Sequence, residues 1–197
     1  RMVEMLLAER VPGDGRVLVL GAGGGMELKA LADAQPGWTF DGVDPSVDML
    51  ELAAETVGPH NDRVRLHQGG IEATPEGPFD GATCLLTLHF LSPEERLQTL
   101  RALHRRLRPG APLVIAHHSV PDEPEAKQWW LQRWSNFVTG SGLPAEDAKA
   151  RASAVANALP TLSPEREVEL LLRAGFERPA LFYAALSFRG WVAWRTA

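Results

Sequence analysis

The 197-residue chain contains very little cysteine and no excess of positive charge. Its one cysteine, Cys84, cannot form an intramolecular disulfide, and its apolar surroundings suit a reducing compartment such as the cytoplasm. A net charge of −5 excludes the global basic field that favours nucleic acid or anionic membranes. The local basic stretch RALHRRLR at 101–108 is predicted to form a solvated helix face. We therefore expect no direct contact with nucleic acid.

Long apolar runs are absent as well. No run reaches the roughly 18 residues of a membrane span, and no signal peptide is visible, so we expect a cytoplasmic protein without membrane contact. The chain begins at Arg1 inside a helix-like pattern, and we expect further residues to precede it. Its length and its 45% hydrophobic content predict one domain over 1–197 with a single well-buried core.

Short apolar segments alternate with helical patterns. The alternation predicts helices at 26–34, 46–57 and 93–107, the last begun by Ser92 as N-cap, with Pro93 and Glu95 after it. Strands are predicted at 16–20, 39–43, 63–67, 80–87, 112–117, 179–187 and 189–195. This order predicts an α/β fold of Rossmann-like type, a mostly parallel sheet covered by helices on both faces. The segment ALFYAALSFRGWVAWR predicts that the sheet ends in an antiparallel hairpin.

Residues 118–163 interrupt the alternation. The segment has helical patterns broken by proline and glycine, and it is too long for a bare loop. It is predicted to be a helical cap, inserted after strand five, that covers the crevice at the carboxyl ends of the strands. The aromatic residues that we expect to dock it on the domain are Trp129, Trp130, Trp134 and Phe137.

The stretch GRVLVLGAGGGMELKALA at 15–32 leads from a strand through a glycine-rich turn into a helix. Counted from Gly21, the dinucleotide fingerprint would require a third glycine where Met26 stands, whereas Gly25 completes the pattern G-x-G-x-G. A nicotinamide dinucleotide dehydrogenase remains an alternative. No lysine follows the turn to hold a phosphate.

Four motifs in order over 15–118 resemble those of the class I S-adenosylmethionine-dependent methyltransferases. They are the glycine turn, FDGVDPSVDMLELA, PFDGATCLLTLHFL and LHRRLRPGAPLVIA. The resemblance implies S-adenosyl-L-methionine as cofactor, with Asp44 accepting hydrogen bonds from the ribose hydroxyls. Gly21 and Gly23 would let the backbone approach the amino-acid and ribose portions. The cofactor-binding residues implied in this way are Gly21, Ala22, Gly23, Asp44, Pro45, Met49, Gly70, Ile71, Leu86 and Thr87.

The sequence departs from that pattern at two places. Family members usually carry an acid where Val19 stands, and it orients the methionine amino group. The segment QGGIE has Gly70 where members often have an acid that binds the adenine amino group, which leaves backbone groups and Ile71 for this contact. These departures leave open a third class of function, a cofactor-binding protein without catalysis.

The residues from about 85 to 195 resemble the carboxy-S-adenosylmethionine synthase family. Its members make a carboxylated cofactor from prephenate in a tRNA wobble-uridine pathway. In that family an arginine after the cap lysine contacts the extra carboxylate, and the site can be completed across a dimer. The matching residue is Arg151 in AKARASAV, which leaves a homodimer open.

Histidines near the ends of strands four and five are the candidate catalytic groups. His117 and His118 follow LVIA on alternate faces, so one of them is predicted to face the crevice in an acid–base or substrate role. Substrate contacts are expected from His89, Trp130, Arg151 and Tyr183. No third ligand near the histidines completes a metal site, so none is expected. The sequence thus predicts a methyltransferase that acts on a small molecule by direct in-line transfer, with carboxy-S-adenosylmethionine synthesis as the alternative reaction.

Overall fold

Seven strands form one sheet in the computed structural model, which describes residues 1–142, 144, 146, 147, 150, 153 and 159–196. In chain order they are β1 Arg16–Leu20, β2 Thr39–Asp44, β3 Val64–Gln68, β4 Gly81–Leu85, β5 Pro112–His118, β6 Phe176–Ala185 and β7 Phe188–Arg195. Their spatial order is β3-β2-β1-β4-β5-β7-β6. The first five strands pair in parallel, and β7 runs antiparallel between β5 and β6. The predicted parallel sheet with a C-terminal antiparallel hairpin is confirmed.

The chain reverses its direction across the sheet between β1 and β4. From β1 the chain moves outward to β2 and β3, and it then returns to place β4 on the other side of β1. In open α/β sheets a ligand crevice forms at such a reversal, beyond the carboxyl ends of the strands. The topology therefore positions a site above β1 and β4.

Six helices are described around the sheet. They are α1 Met2–Ala8, α2 Met26–Ala34, α3 Val47–Val57, α4 Pro93–Arg106, α5 Pro124–Gly140 and α6 Pro164–Arg173. Short 3₁₀ turns lie at Gly58–Arg63, Ile71–Ala73 and Leu88–Phe90. The predicted start of α4 is confirmed: the Ser92 side chain accepts from the Glu95 amide, and the Glu95 carboxylate accepts from the Ser92 amide.

Alternate residues of β1 divide the core between the two faces of the sheet. Leu18 and Leu20 belong to a buried cluster with α4 and α6, while Val17 and Val19 belong to a second cluster with α1 and α2. Every one of these four side chains is at most 5% exposed. Both faces are therefore covered, which explains the uninterrupted apolar run VLVL at 17–20.

Several strand boundaries differ from the prediction by one to three residues, and two of these differences have local reasons. β4 ends at Leu85 rather than 87, because Leu86 adopts φ 56° and the Thr87 hydroxyl donates to the Leu85 carbonyl at 3.0 Å. β6 begins at Phe176 rather than 179, since Pro179 is tolerated in an edge strand that carries a register shift.

In the predicted cap region, helix α5 covers Pro124–Gly140, and the described residues 146, 147, 150 and 153 are also helical. The buried residues of α5 are Leu131 and Ser135. The expected docking through four aromatic side chains is wrong for two of them, since Trp129 is 54% and Phe137 62% exposed. Helical spacing turns Trp129 outward, where the Arg133 guanidinium lies 3.4 Å from its ring centroid. Within the described part of the chain, no helix has the length and apolarity to cross a membrane.

Candidate active site

A cavity of about 1410 Å³ opens at the carboxyl ends of β1, β2 and β4. It exceeds the usual 300–1,000 Å³ of a small-ligand pocket, so it has room for more than one small molecule. The structure brings all ten predicted cofactor-binding residues into its wall: Gly21, Ala22, Gly23, Asp44, Pro45, Met49, Gly70, Ile71, Leu86 and Thr87. These residues come from four separate stretches of sequence and converge at one place.

The glycine turn after β1 forms the floor of the cavity. Gly21 and Gly23 have φ values of 79° and 49°, in the left-handed region that glycine adopts at little cost. A Cβ at Gly21 would lie 1.9 Å from Oγ1 of Thr87, so this glycine permits close packing of the turn against the end of β4. A Cβ at Gly23 would meet no atom within 4 Å. Gly23 therefore presents its open side to the cavity.

Asp44 is the last residue of β2, and its carboxylate connects two loops. Oδ2 accepts from the Gly23 amide at 2.9 Å, and Oδ1 accepts from the Ser46 amide at 3.0 Å. Each oxygen keeps a lone pair for a further donor. The carboxylate is thus held in place by backbone groups and still has capacity for a ligand with two hydroxyls.

The two positions that depart from the family pattern have distinct local explanations. Val19 is fully buried in the core and presents nothing to a ligand. At the other departure, the Gly70 amide donates to Oε1 of Glu72 at 2.9 Å, so an acid reaches this part of the cavity from two residues further along. Hydrogen bonds from its own and the Gly70 amide lower the pKa of the Glu72 carboxyl.

Five large apolar side chains in the cavity wall are exposed: Met26, Met49, Leu52, Leu86 and Phe90. Leu86, Phe90 and Met49 are 54%, 64% and 41% exposed, respectively. Leu86 is also one of few non-glycine residues with positive φ. Such strain and exposure together are typical of functional sites, because the side chains gain burial when a ligand arrives.

Two parts of the cavity wall lie outside the predicted set of site residues, although Glu27, in the first helix turn, is one residue that could compensate for the acid absent at Val19. Glu27, in the first turn of α2, lines the cavity, and burial raises the pKa of its carboxyl to about 7. The helix predicted as a solvated face places Arg105 and Arg106 at the far end of the cavity. The signal for Glu27 was its place directly after the glycine turn, and for the arginines it was the clustering of cations.

The three histidines form a buried cluster of their own, and none of them lines the cavity. Nε2 of His117 lies 3.0 Å from Oε1 of Glu167 on α6, and both side chains have no exposed surface. Nδ1 of His118 lies 2.9 Å from the Ser187 hydroxyl, and Nδ1 of His89 accepts from the His118 amide at 3.3 Å. The predicted acid–base role of His117 and His118, and the substrate role of His89, therefore receive no support from the geometry.

The remaining predicted substrate residues are also separate from the cavity or outside the described residues. Trp130 is half-buried, with the Arg189 guanidinium 5.3 Å from its ring centroid. Tyr183 is exposed on the edge strand β6. Arg151 lies outside the described residues. Among described side chains, no group of three His, Cys, Asp or Glu could hold a metal ion.

The cavity fits S-adenosylmethionine. Its glycine floor has open space at Gly23 where a Cβ would intrude, and Asp44 has free acceptor capacity for a ribose diol. Apolar side chains such as Ile71 and Met49 can cover a purine ring. Oε1 of Glu27 is buried and has no hydrogen-bond partner among the described residues, which suits a ligand that carries N–H donors.

Comparison with known proteins agrees with this geometry. Residues 18–113 match the family model of a methyltransferase domain. The chain is 32% identical to the carboxy-S-adenosyl-L-methionine synthase of Chromohalobacter salexigens over 198 residues, which covers 98% of this chain and 73% of that protein. The corresponding synthase of Citrifermentans bemidjiense is 28% identical and covers 82% of this chain and 68% of its own length.

An O-methyltransferase family protein from Burkholderia thailandensis has a similar structure. The TM-score is 0.73 at 16% identity, over all of this chain and 55% of the other. This likeness shows the fold alone. The chain spans about half the length of the solved structure that it matches.

The fold, the glycine floor and the matched family model define an enzyme class. The chain belongs to the class I S-adenosylmethionine-dependent methyltransferase family, and it is an enzyme of that class. Within the class, the relatives that it resembles along nearly its whole length are carboxy-S-adenosyl-L-methionine synthases.

Proposed function

We propose that this protein binds S-adenosyl-L-methionine in the cavity and transfers its methyl group to a small molecule. The observation that carries the proposal is the convergence of the ten predicted cofactor residues on one cavity. The size of that cavity supports a second, small ligand beside the cofactor.

Each part of the wall has a role that follows from its chemistry. Asp44 accepts from the ribose hydroxyls with the acceptor capacity that Gly23 and Ser46 leave free. The backbone at Gly23 borders the ribose and amino-acid portions, where its open side allows close approach. Ile71 and Met49 pack against the adenine ring.

Bound S-adenosylmethionine supplies an electrophilic methyl group on a sulfonium, which a nucleophile displaces in line. The residues contribute chiefly by orientation, since Asp44 and the glycine turn fix the cofactor relative to the acceptor space. Well-oriented reactions reach effective molarities of roughly 10⁵–10⁸ M. Leu86 and Phe90, exposed at the mouth, exclude water when ligands cover them.

Calorimetric titration with S-adenosylmethionine and S-adenosylhomocysteine tests the binding step. We expect both ligands to bind, and we expect Asp44→Ala to weaken binding by about 1.5–3 kcal/mol, the range for hydrogen bonds to a charged group. Asp48→Ala is the matched control, because Asp48 lies in α3 four residues further on and is not part of the cavity wall. Wild-type protein that binds neither ligand contradicts the proposal, and unchanged affinity in Asp44→Ala contradicts the ribose assignment.

A second candidate reaction is synthesis of carboxy-S-adenosylmethionine. It is favoured by the 32% identity to a named synthase across 98% of this chain. Mass spectrometry of the protein incubated with S-adenosylmethionine and prephenate separates the two reactions. A product heavier than S-adenosylmethionine by one carboxyl group supports synthesis, whereas unchanged cofactor supports transfer to another acceptor.

A further inference from the structure

Glu27 is a carboxyl group in the wall of the cavity, and one of its two oxygens is left without a partner among the described residues. It lies in the first turn of α2, two residues after Gly25, the helix N-cap. Its Oε1 atom is buried and has no hydrogen-bond partner among the described residues. The other acids of the wall each accept a hydrogen bond from a described group; these are Asp44, Glu72, Glu94 and Glu95. A buried acceptor that is left free in a ligand cavity points to a donor on the ligand.

The position of Glu27 also explains the apolar Val19. Val19 on β1 is the register partner of Thr83 on β4, and both are fully buried beneath α2. The Glu27 side chain extends from the helix toward Thr83, whose hydroxyl lowers the pKa of the Glu27 carboxyl against the larger, opposite effect of burial. The helix therefore brings a carboxyl group close to the strand position where the sequence has a valine in place of an acid.

The order of the strands assigns the two ends of the cavity. Asp44 at the end of β2 and Ile71 after β3 lie on one side of β1, and Glu27 lies against β4 on the other. A cofactor whose ribose is at Asp44 and whose adenine is at Ile71 extends its amino-acid portion toward β4. Of the two cationic groups in S-adenosylmethionine, the ammonium has N–H donors and the sulfonium has none.

We infer that Glu27 is the residue that binds the ammonium group of the cofactor, as a carboxylate that replaces an acid on β1. The inference rests on the proposed function and specifies the residue that recognises the amino-acid portion.

Proton release accompanies this contact. In the free protein burial raises the pKa of Glu27 to about 7, so the carboxyl is largely protonated at pH 6. A neighbouring ammonium favours the charged form, so binding releases a proton and weakens as the pH falls below 7. Other ionisable groups lie near Glu27 or in the same cavity wall. The Cys84 thiol on β4 stays neutral because burial raises its pKa to about 12, Lys29 on α2 forms an ion pair with Asp33, and the Asp44 carboxylate accepts hydrogen bonds from backbone amides.

Two ligands distinguish this contact from a general effect on the cavity. S-Adenosylhomocysteine carries the amino acid, whereas 5′-methylthioadenosine has the same adenosine and thioether without it. At pH 8 we expect Glu27→Gln to weaken binding of S-adenosylhomocysteine about tenfold to a hundredfold, and binding of methylthioadenosine less than about threefold. Glu51→Gln, the same exchange on the exposed surface of α3, should change neither.

The wild-type protein provides an independent measurement. Calorimetry at pH 6 in buffers of different ionisation enthalpy should show release of nearly one proton with S-adenosylhomocysteine and of none with methylthioadenosine. Folding of Glu27→Gln is checked by thermal unfolding at pH 8, where the variant should be at least as stable, since ionising a buried carboxyl costs stability above its ordinary pKa.

The outcomes separate the two proposals. Wild-type protein that binds neither ligand overturns the proposed function and this inference together. Wild-type protein that binds both, with a Glu27→Gln variant that retains full affinity or loses it equally for both ligands, overturns the role of Glu27 alone. If the wild type binds S-adenosylhomocysteine at pH 6 without releasing a proton, the role of Glu27 is likewise overturned.

Discussion

At the scale of single residues, the glycine turn shows how two similar residues serve different purposes. Gly21 is required by the fold, because any Cβ there would collide with Thr87. Gly23 has free space around it, so nothing in the protein itself forbids a side chain. In the proposed function, the cofactor occupies this space, and a side chain at position 23 would collide with it.

Replacement of Gly23 should therefore abolish ligand binding while the fold persists. The Gly23→Val side chain enters the cavity, and its positive φ of 49° adds backbone strain of about 1 kcal/mol or more. We expect S-adenosylhomocysteine binding below detection by calorimetry, with a largely native far-UV circular dichroism spectrum.

Gly58→Val is the matched control for backbone strain. Gly58 has φ 46°, a Cβ added to it would meet no atom within 4 Å, and it has no place in the cavity wall. The variant should show the same loss of stability and normal affinity. Normal affinity in Gly23→Val would show that the turn is a structural bend.

At the scale of secondary-structure elements, a buried ion pair connects α4 to α6. Nη1 of Arg96 donates to Oε1 of Glu167, and Nη2 donates to the Pro160 carbonyl at 3.0 Å. His117 on β5 reaches the same carboxylate oxygen. Arg96, Glu167 and His117 are all fully buried, so loss of any one leaves an unmatched polar group in the interior.

Removal of Arg96 alone should lower the free energy of unfolding strongly, whereas removal of Arg96 and Glu167 together should lower it much less. We expect Arg96→Met to lower the free energy of unfolding by about 3–5 kcal/mol, because the Glu167 carboxylate loses its partner. The double variant Arg96→Met with Glu167→Leu should recover part of that loss, as apolar groups replace both charges. Urea unfolding followed by circular dichroism measures all three proteins.

The exposed pair of Arg173 and Glu169 on α6 supplies the control. Their side chains are 53% and 62% exposed at a separation of 3.5 Å, so Arg173→Met should change the free energy of unfolding by less than about 1 kcal/mol. Equal losses for Arg96→Met and Arg173→Met would contradict the structural role assigned to the buried pair.

At the scale of the whole molecule, the histidine cluster joins four elements. His89 follows β4, His118 ends β5, and they meet the β6–β7 hairpin at Ser187 and Phe188 and the helix α5 at Trp134. Burial, followed by the charge of neighbouring histidines, lowers the pKa of His89 to about 3 and that of His118 to about 4. Both side chains are neutral in the folded protein at neutral pH.

Protonation of these histidines should therefore lower the free energy of unfolding as the pH falls below about 6.5. Unfolded histidines bind protons below about pH 6.5, whereas the folded ones do not until far lower pH. The free energy of unfolding that the neutral histidines contribute is therefore complete above about pH 6.5 and decreases toward pH 4. The slope approaches about 1.4 kcal/mol per pH unit for each histidine. Urea titrations at several pH values between 4.5 and 7 measure the slope.

Glu27 has the opposite effect on the free energy of unfolding between pH 7 and 4.5. Because its pKa is raised in the folded protein, folding takes up a proton in this range, and Glu27 adds stability as the pH falls. The titrations are therefore repeated in Glu27→Gln, where the slope from the histidines should be steeper. His118→Asn should remove one histidine's share of it. A free energy of unfolding that is independent of pH in the Glu27→Gln protein would contradict the assignment of neutral, buried histidines.

The amino-acid sequence by itself determined most of the secondary-structure elements and the strand ends at which the predicted cofactor-binding residues lie. Strand β1 and helix α2 lie at the predicted residues because apolar runs, glycines and caps act locally. The glycine turn and Asp44 could likewise be predicted from the sequence, because each follows directly from the end of an apolar strand.

Tertiary structure alone decided which polar groups share an environment. Glu27 is an acid in the first turn of α2, a place where acids commonly stabilise a helix, and the packing of α2 near Thr83 places it in the cavity wall. His117 was predicted as one of two histidines that could face the crevice. In the fold it is buried beside Glu167, which also binds Arg96, and these residues lie 50 and 21 positions away in the chain. Local pattern fixes backbone conformation, but burial and partners depend on contacts between distant residues, and those contacts set the charge and the role of each side chain.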